Sequence, residues 1–199
     1  MEEDNLKTIF EASYQNPNEA RKSLENKGFS YVDEYSSPDT KVFLDKQGNP
    51  HITFRGTHRI EDVGTDIKVG LGLETQRHKQ AKKIVEEVGK KYQKPVSAYG
   101  TSLGGHIAES SGAQNIYTYN KAVGIKDIAK KIPKSQTDYR TEKDIVSLPS
   151  LFQTGGKKIT IKSPFFQDVL TAHSTSSFKA GNQGSQASPP SVLKKLRFF

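Results

Sequence analysis

Five residues near the middle of the chain constrain its fold more than any other segment. Gly100-Thr101-Ser102-Leu103-Gly104 has the pattern G-x-S-x-G, and it lies between an apolar run and a stretch with helical spacing. Glycine on both sides of the serine permits a sharp strand-to-helix turn in which larger side chains would clash. The pattern therefore predicts a turn that projects the Ser102 hydroxyl above the edge of a sheet.

Hydrophobic periodicity on both sides of this turn predicts an α/β fold. Two short apolar runs joined by turn formers predict a β-hairpin, and a helix, a strand, a helix and a strand follow. These segments are, in chain order, residues 41–44, 51–54, 77–92, 96–99, 103–111 and 116–119. Because strand, helix and strand make a βαβ unit, we expect a mostly parallel central sheet with helices on both faces. A last pair of strands is predicted near residues 138–140 and 158–161.

The 199 residues suit one domain with a short tail. Residues 180–190 are mostly Gly, Asn, Gln, Ser and Pro, which cannot bury enough apolar surface to offset their ordering entropy. We therefore expect one α/β domain over residues 1–179 and a flexible tail over residues 180–199. The end of that tail, residues 192–199, is both basic and apolar, which is compatible with contact with an anionic membrane surface and equally with a solvated tail.

Composition excludes several kinds of chemistry. The chain has no cysteine, so it has no disulfide, thiol nucleophile or cysteine-based metal site. The 30 lysines and arginines exceed the 22 aspartates and glutamates by eight, so the chain carries a net charge of +8 and attracts anionic material. The sequence contains no nucleic-acid recognition motif, so we expect no nucleic-acid partner. No signal peptide and no apolar run of transmembrane length is seen, so we expect a cytoplasmic or particle-associated protein, such as one carried by a virus.

A serine nucleophile needs a base and an acid that orients the base. In α/β-hydrolases these follow the serine in the order acid, then histidine. His173 is the one histidine beyond the next predicted strand, because His106 lies within the helix that follows Ser102 and points away from the position of a base. The candidate acids are Asp127, Asp138, Glu142, Asp144 and Asp168. Asp144 is favoured, because it follows a predicted strand at the sheet edge where such sites gather.

Four segments in this order resemble the class 3, or fungal-type, lipases of the α/β-hydrolase fold. They are Ile52-Thr53-Phe54-Arg55-Gly56-Thr57 followed by Asp62 and Asp66, Tyr99 to Ala108 around the serine, Thr118 to Gly124, and Asp144 to Pro149 before His173. The resemblance covers roughly residues 41–178. Thr101, Asn120 and Ala122 depart from the family's usual His, Gly and Pro.

The resemblance implies a catalytic site with Ser102 as nucleophile, Asp144 as orienting acid and His173 as base. It implies Thr57 and Leu103 as the donors that stabilise the oxyanion, the latter through the backbone N–H at the start of a helix. The expected activity is hydrolysis of carboxylic esters of lipids, by a lipase or phospholipase, through an acyl-enzyme with no metal or cofactor. The lid would be minimal, at Gly70-Leu71-Gly72-Leu73. The alternative is a non-catalytic hydrolase-fold component that binds at a membrane or in a particle.

Overall fold

The computed structural model describes residues 3–57, 75–124, 127–141 and 147–161. In this part of the chain a seven-stranded sheet is flanked by four α-helices. The elements are α1 (Glu3–Ala12), α2 (Pro17–Glu25), β1 (Ser30–Tyr31), β2 (Thr40–Leu44), β3 (Pro50–Phe54), α3 (Gln76–Tyr92), β4 (Ser97–Thr101), α4 (Leu103–Ser110), β5 (Asn115–Tyr119), β6 (Lys131–Thr141) and β7 (Thr154–Ile161), with 3-10 turns at Asp33–Tyr35 and Leu148–Phe152. The predicted tail over residues 180–199 and the predicted lid lie outside the described residues.

Each strand of the sheet pairs with the next strand along the chain, from β1 to β7. β1, β2 and β3 run antiparallel, and the four pairs from β3 to β7 are parallel. The predicted hairpin and the predicted mostly parallel sheet are therefore confirmed. Since all parallel strands end at the same edge, the turns after β3, β4 and β5 meet there.

Local sequence signals explain where the helices begin. The Asn16 side chain accepts a hydrogen bond of 3.0 Å from the backbone N–H of Glu19, and Pro17 occupies the first turn of α2. This is the capped helix start that Asn-Pro-x-Glu predicts. In α3 the apolar residues Ala81, Val85 and Val88 are buried at helical spacing, as expected for a helix with one face on the sheet.

The two faces of the sheet carry separate apolar cores. On one face, Ile9 and Phe10 of α1 pack with Leu24 of α2 against Phe43 and Tyr99 of the strands. On the other face, α3 and α4 cover the strands through a second set of buried residues, which includes Val42, Ile52, Phe54, Val85, Val88, Ala98, Ile107 and Ile116. Helices therefore cover both faces, and α3 and α4 share one face.

Beneath α4 a buried group of charged side chains links the helix to the sheet. The Lys121 ammonium contacts the carboxylate of Glu109 and lies 3.0 Å from Oδ2 of Asp138, and all three side chains are at least 96% buried. Gln136 donates to both carboxylates, at 2.9 Å and 2.7 Å. Burial alone would raise the pKa of Glu109, but Lys121, Gln136 and Lys130 together lower it to about 2. The Glu109 carboxylate therefore stays ionised, and both carboxylates contact the Lys121 ammonium and accept hydrogen bonds from Gln136.

Replacing Lys121 by methionine leaves two buried carboxylates without their cation. We expect Lys121→Met to lower the free energy of unfolding by about 3–5 kcal/mol, measured by urea denaturation followed by circular dichroism. Lys130 offers a matched control, because it lies 3.1 Å from Glu109 and its side chain is 42% exposed. Lys130→Met should cost less than about 1 kcal/mol. Equal losses in the two variants would contradict this account of the buried group.

Candidate active site

Ser102 occupies a strained turn between β4 and α4. Its backbone angles are φ 53° and ψ −123°, a region that residues other than glycine rarely adopt. The turn is held by two backbone hydrogen bonds, from the N–H of Ser102 to the carbonyl of Tyr119 at 3.0 Å and from the N–H of Ala122 to the carbonyl of Ser102 at 3.1 Å. Such a conformation costs roughly 1–3 kcal/mol and persists only where the surrounding structure enforces it.

The glycines around Ser102 are required by close backbone contacts. A Cβ atom at Gly100 would lie 2.1 Å from the carbonyl oxygen of Gly104, and a Cβ atom at Gly104 would lie 2.3 Å from the carbonyl oxygen of Phe54. The first turn of α4 therefore packs directly on the ends of β3 and β4. Any side chain larger than that of glycine would clash at these two positions, which explains the G-x-S-x-G pattern in the way predicted from the sequence.

The loop after β3 lies beside the serine. A Cβ atom at Gly56 would be 3.4 Å from Cβ of Ser102, so the backbone passes the serine at van der Waals distance. The next residue is Thr57, and its hydroxyl is buried with no hydrogen-bond partner among the described residues. The Ser102 hydroxyl is also buried without a hydrogen-bond partner among the described residues. Leu103 begins α4, and the first N–H groups of a helix have no partner within it.

Tyr14, just beyond α1, reaches the same place from the opposite side of the sheet. A Cβ atom at Gly56 would lie 2.4 Å from the Tyr14 hydroxyl and 2.7 Å from the carbonyl oxygen of Thr101. The tyrosine hydroxyl thus fills the space between the loop after β3 and the turn after β4. Burial raises the pKa of Tyr14, although Gly56, nearby arginines and Thr101 act in the opposite direction. The side chain is therefore a neutral phenol at this contact.

Three cationic side chains surround the loop that carries Gly56 and Thr57. Arg55 Nη1 lies 3.9 Å from Oδ1 of Asp39, and Arg77 Nη2 donates to the carbonyl of Arg55 at 2.6 Å. The Lys41 ammonium donates to the carbonyl of Pro38 at 2.5 Å. Burial and the nearby Arg55 lower the pKa of Lys41 to about 8. The net positive charge favours an anion that forms beside this loop.

The structure places Gly56, the residue before Thr57, beside Ser102, which directly precedes Leu103, while Asp144 and His173 lie outside the described residues. Glu142 and Asp168 lie outside them as well. Two of the other candidate acids have partners of their own. Asp138 accepts from Thr118 at 2.7 Å and belongs to the buried group of Lys121, and Asp127 Oδ2 lies 3.3 Å from Nε2 of His106.

The other histidines in the described part of the chain contact one another, Tyr99 or a carboxylate. His51 is buried, and its Nδ1 lies 2.9 Å from the Tyr99 hydroxyl. His106 contacts His78 at 2.9 Å and Asp127, away from the serine hydroxyl, as its place within the helix predicts. Sequence reasoning missed the roles of Tyr14, Lys121 and this histidine pair. No sequence motif marks them, because each contacts residues that are distant along the chain.

Comparisons with known proteins bear on the family and the fold of the chain. A family model described as a Tle-like phospholipase domain, of the phospholipase-like group, matches residues 6–181. Two fungal lipase structures have a similar fold. One is a fungal lipase bound to an inhibitor, with a TM-score of 0.50, 16% identity and 77% of each chain covered. The other is the Rhizomucor miehei lipase in complex with its propeptide, with a TM-score of 0.54, 14% identity, 80% of this chain and 67% of that chain. A search of curated proteins finds no match.

No helix in the described part of the chain combines the length and the apolar character that crossing a membrane requires.

A methyl group at Gly104 must displace the backbone of β3 or of the serine turn. We expect Gly104→Ala to lower the free energy of unfolding by about 1–3 kcal/mol, measured by urea denaturation. Gly89→Ala is the matched control, because a Cβ atom at that position in α3 would lie 3.5 Å from the nearest atom, a Val96 methyl carbon. That variant should stabilise α3 by about 0.5–1 kcal/mol. A Gly104→Ala protein as stable as the wild type would contradict the close contact.

Proposed function

Because the chain belongs to the Tle-like phospholipase family, we propose that it is a serine hydrolase that cleaves carboxylic esters of lipids. The observation that carries the proposal is the backbone of Ser102 at φ 53°, where close packing holds the serine at the start of a helix. Backbone strain of this kind is concentrated at functional sites. The buried hydroxyl of Ser102 and the orphan N–H groups of α4 are the parts that acyl transfer uses.

In the proposed mechanism the Ser102 hydroxyl attacks the ester carbonyl, while His173 takes its proton and later gives it to the leaving alcohol. Asp144 holds the imidazole in the tautomer that accepts this proton. Thr57 and the N–H of Leu103 donate hydrogen bonds to the oxyanion. Water then attacks the acyl-enzyme by the same steps and releases the fatty acid. The chemistry needs no metal or cofactor.

We propose phospholipids as the substrate class, and two observations support them. The family model is named for phospholipase activity, and the side chains of Lys41, Arg55 and Arg77 place positive charge beside the loop that carries Thr57. A phosphate group near the ester would be attracted to this charge. The basic residues at 192–199 would add attraction to an anionic bilayer.

Removing the nucleophile should abolish ester hydrolysis. We expect Ser102→Ala to lower kcat on a short p-nitrophenyl ester by at least about a thousandfold, and to abolish release of fatty acid from phospholipid vesicles. Ser110→Ala is the matched control on the same helix, because the Ser110 hydroxyl donates only to the carbonyls of the preceding turn. A fluorophosphonate should add mass at Ser102 alone. Hydrolysis that survives in Ser102→Ala would exclude Ser102 as the nucleophile, and a folded wild type with no hydrolysis would favour the non-catalytic alternative.

The Thr57 hydroxyl should matter for the rate and not for the fold. We expect Thr57→Val to lower kcat by about a hundredfold with little change in KM, since the donor acts on charge that develops in the transition state. Thr53→Val is the control, because Thr53 in β3 also has a buried hydroxyl without a partner among the described residues. Its kcat should stay at the wild-type value. Similar losses in the two variants would exclude a specific role for Thr57.

A further inference from the structure

Four side chains on the α3 and α4 face form one continuous chain of hydrogen bonds. Thr75, which precedes α3, contacts His78 Nδ1 through its backbone N–H at 3.3 Å and its hydroxyl at 2.7 Å. His78 Nε2 lies 2.9 Å from His106 Nδ1, and His106 Nε2 lies 3.3 Å from Oδ2 of Asp127. The two imidazole rings meet edge to face, with centroids 5.1 Å apart.

The donors in this chain determine the tautomer of both rings. A backbone N–H can only donate, so His78 Nδ1 accepts from Thr75 and carries no proton. The proton of neutral His78 is therefore on Nε2, which donates to His106 Nδ1. His106 Nδ1 is in turn an acceptor, so its ring proton is on Nε2 and is donated to the Asp127 carboxylate.

The histidine pair joins the two sides of the candidate active site. His106 lies one turn beyond Ser102, and its backbone N–H donates to the Ser102 carbonyl at 3.4 Å. Arg77, next to His78 in the first turn of α3, donates to the carbonyl of Arg55 at 2.6 Å. The first turn of α3 therefore holds the loop that leads to Thr57, and the histidine pair holds that turn to the helix of the serine.

We propose that His78 and His106 are positioning residues whose hydrogen bond sets the placement of the Thr57 loop relative to Ser102. The inference rests on the proposed function, because it assigns the pair a role in the same reaction. Neither ring touches the reacting atoms. Their effect is on kcat, through the alignment of the donors with the oxyanion.

The first experiment reads the tautomers directly, without any use of activity. In nitrogen-15 correlation spectra of the full chain at about pH 8, above the ordinary imidazole range, we expect both rings neutral with the proton on Nε2. Assignment uses His78→Gln and His106→Asn. A proton on Nδ1 of either ring would overturn the hydrogen-bond chain, whatever the protein hydrolyses.

The second experiment compares two variants of His106 in ester hydrolysis. In His106→Asn the amide oxygen replaces Nδ1, so it accepts from His78 and cannot be protonated. In His106→Leu the acceptor is lost. We expect His106→Leu to lower kcat by about tenfold or more with KM unchanged, and His106→Asn to restore it.

Equal kcat in folded His106→Leu and wild type, or no recovery of kcat in folded His106→Asn, would overturn the positioning role. A failure of the proposed function looks different. In that case the tautomers are as expected, while the wild type and Ser102→Ala release no product from either ester or vesicle.

Discussion

The direct backbone contact between the first turn of α4 and the ends of β3 and β4 is the constraint on which the site depends. A Cβ atom at Gly104 would lie 2.3 Å from the Phe54 carbonyl oxygen, so no side chain fits between the helix and the sheet at this position. The helix must then start at once after β4, and Ser102 takes the positive φ that this start demands. Strain at the serine is offset by the packing of the whole α/β core around it.

The same helix carries polar groups that hold its two halves to different neighbours. Near its start, His106 is joined to His78 of α3, and near its end, Glu109 is joined to Lys121 and Asp138 of the sheet side. Apolar packing from Ile107 lies between the two. Hydrogen bonds and ion pairs are directional, so they favour one placement of the helix more strongly than apolar contacts alone do. Ser102, the proposed nucleophile, lies at the start of this helix and is positioned by that selection.

Much of the fold could be predicted because its signals are local. The hairpin of β2 and β3, the long amphipathic α3 and the turn at Ser102 all show in windows of a few residues, through periodicity and glycine placement. Tyr14 and Lys121 could not be assigned in this way. A tyrosine after a helix and a lysine after a strand are ordinary in sequence, and their partners lie on other elements.

The sequence by itself determined the order of strands and helices, the position of the serine turn and the residue types available for chemistry. Only the tertiary structure decided which groups surround that serine. It placed the loop of Gly56 beside Ser102, gave Asp127 and Asp138 to other partners, and joined His78 to His106. The physical reason is distance along the chain. Backbone propensity acts over one or two turns, whereas the contacts that define a site form only when the sheet has brought remote segments to one edge.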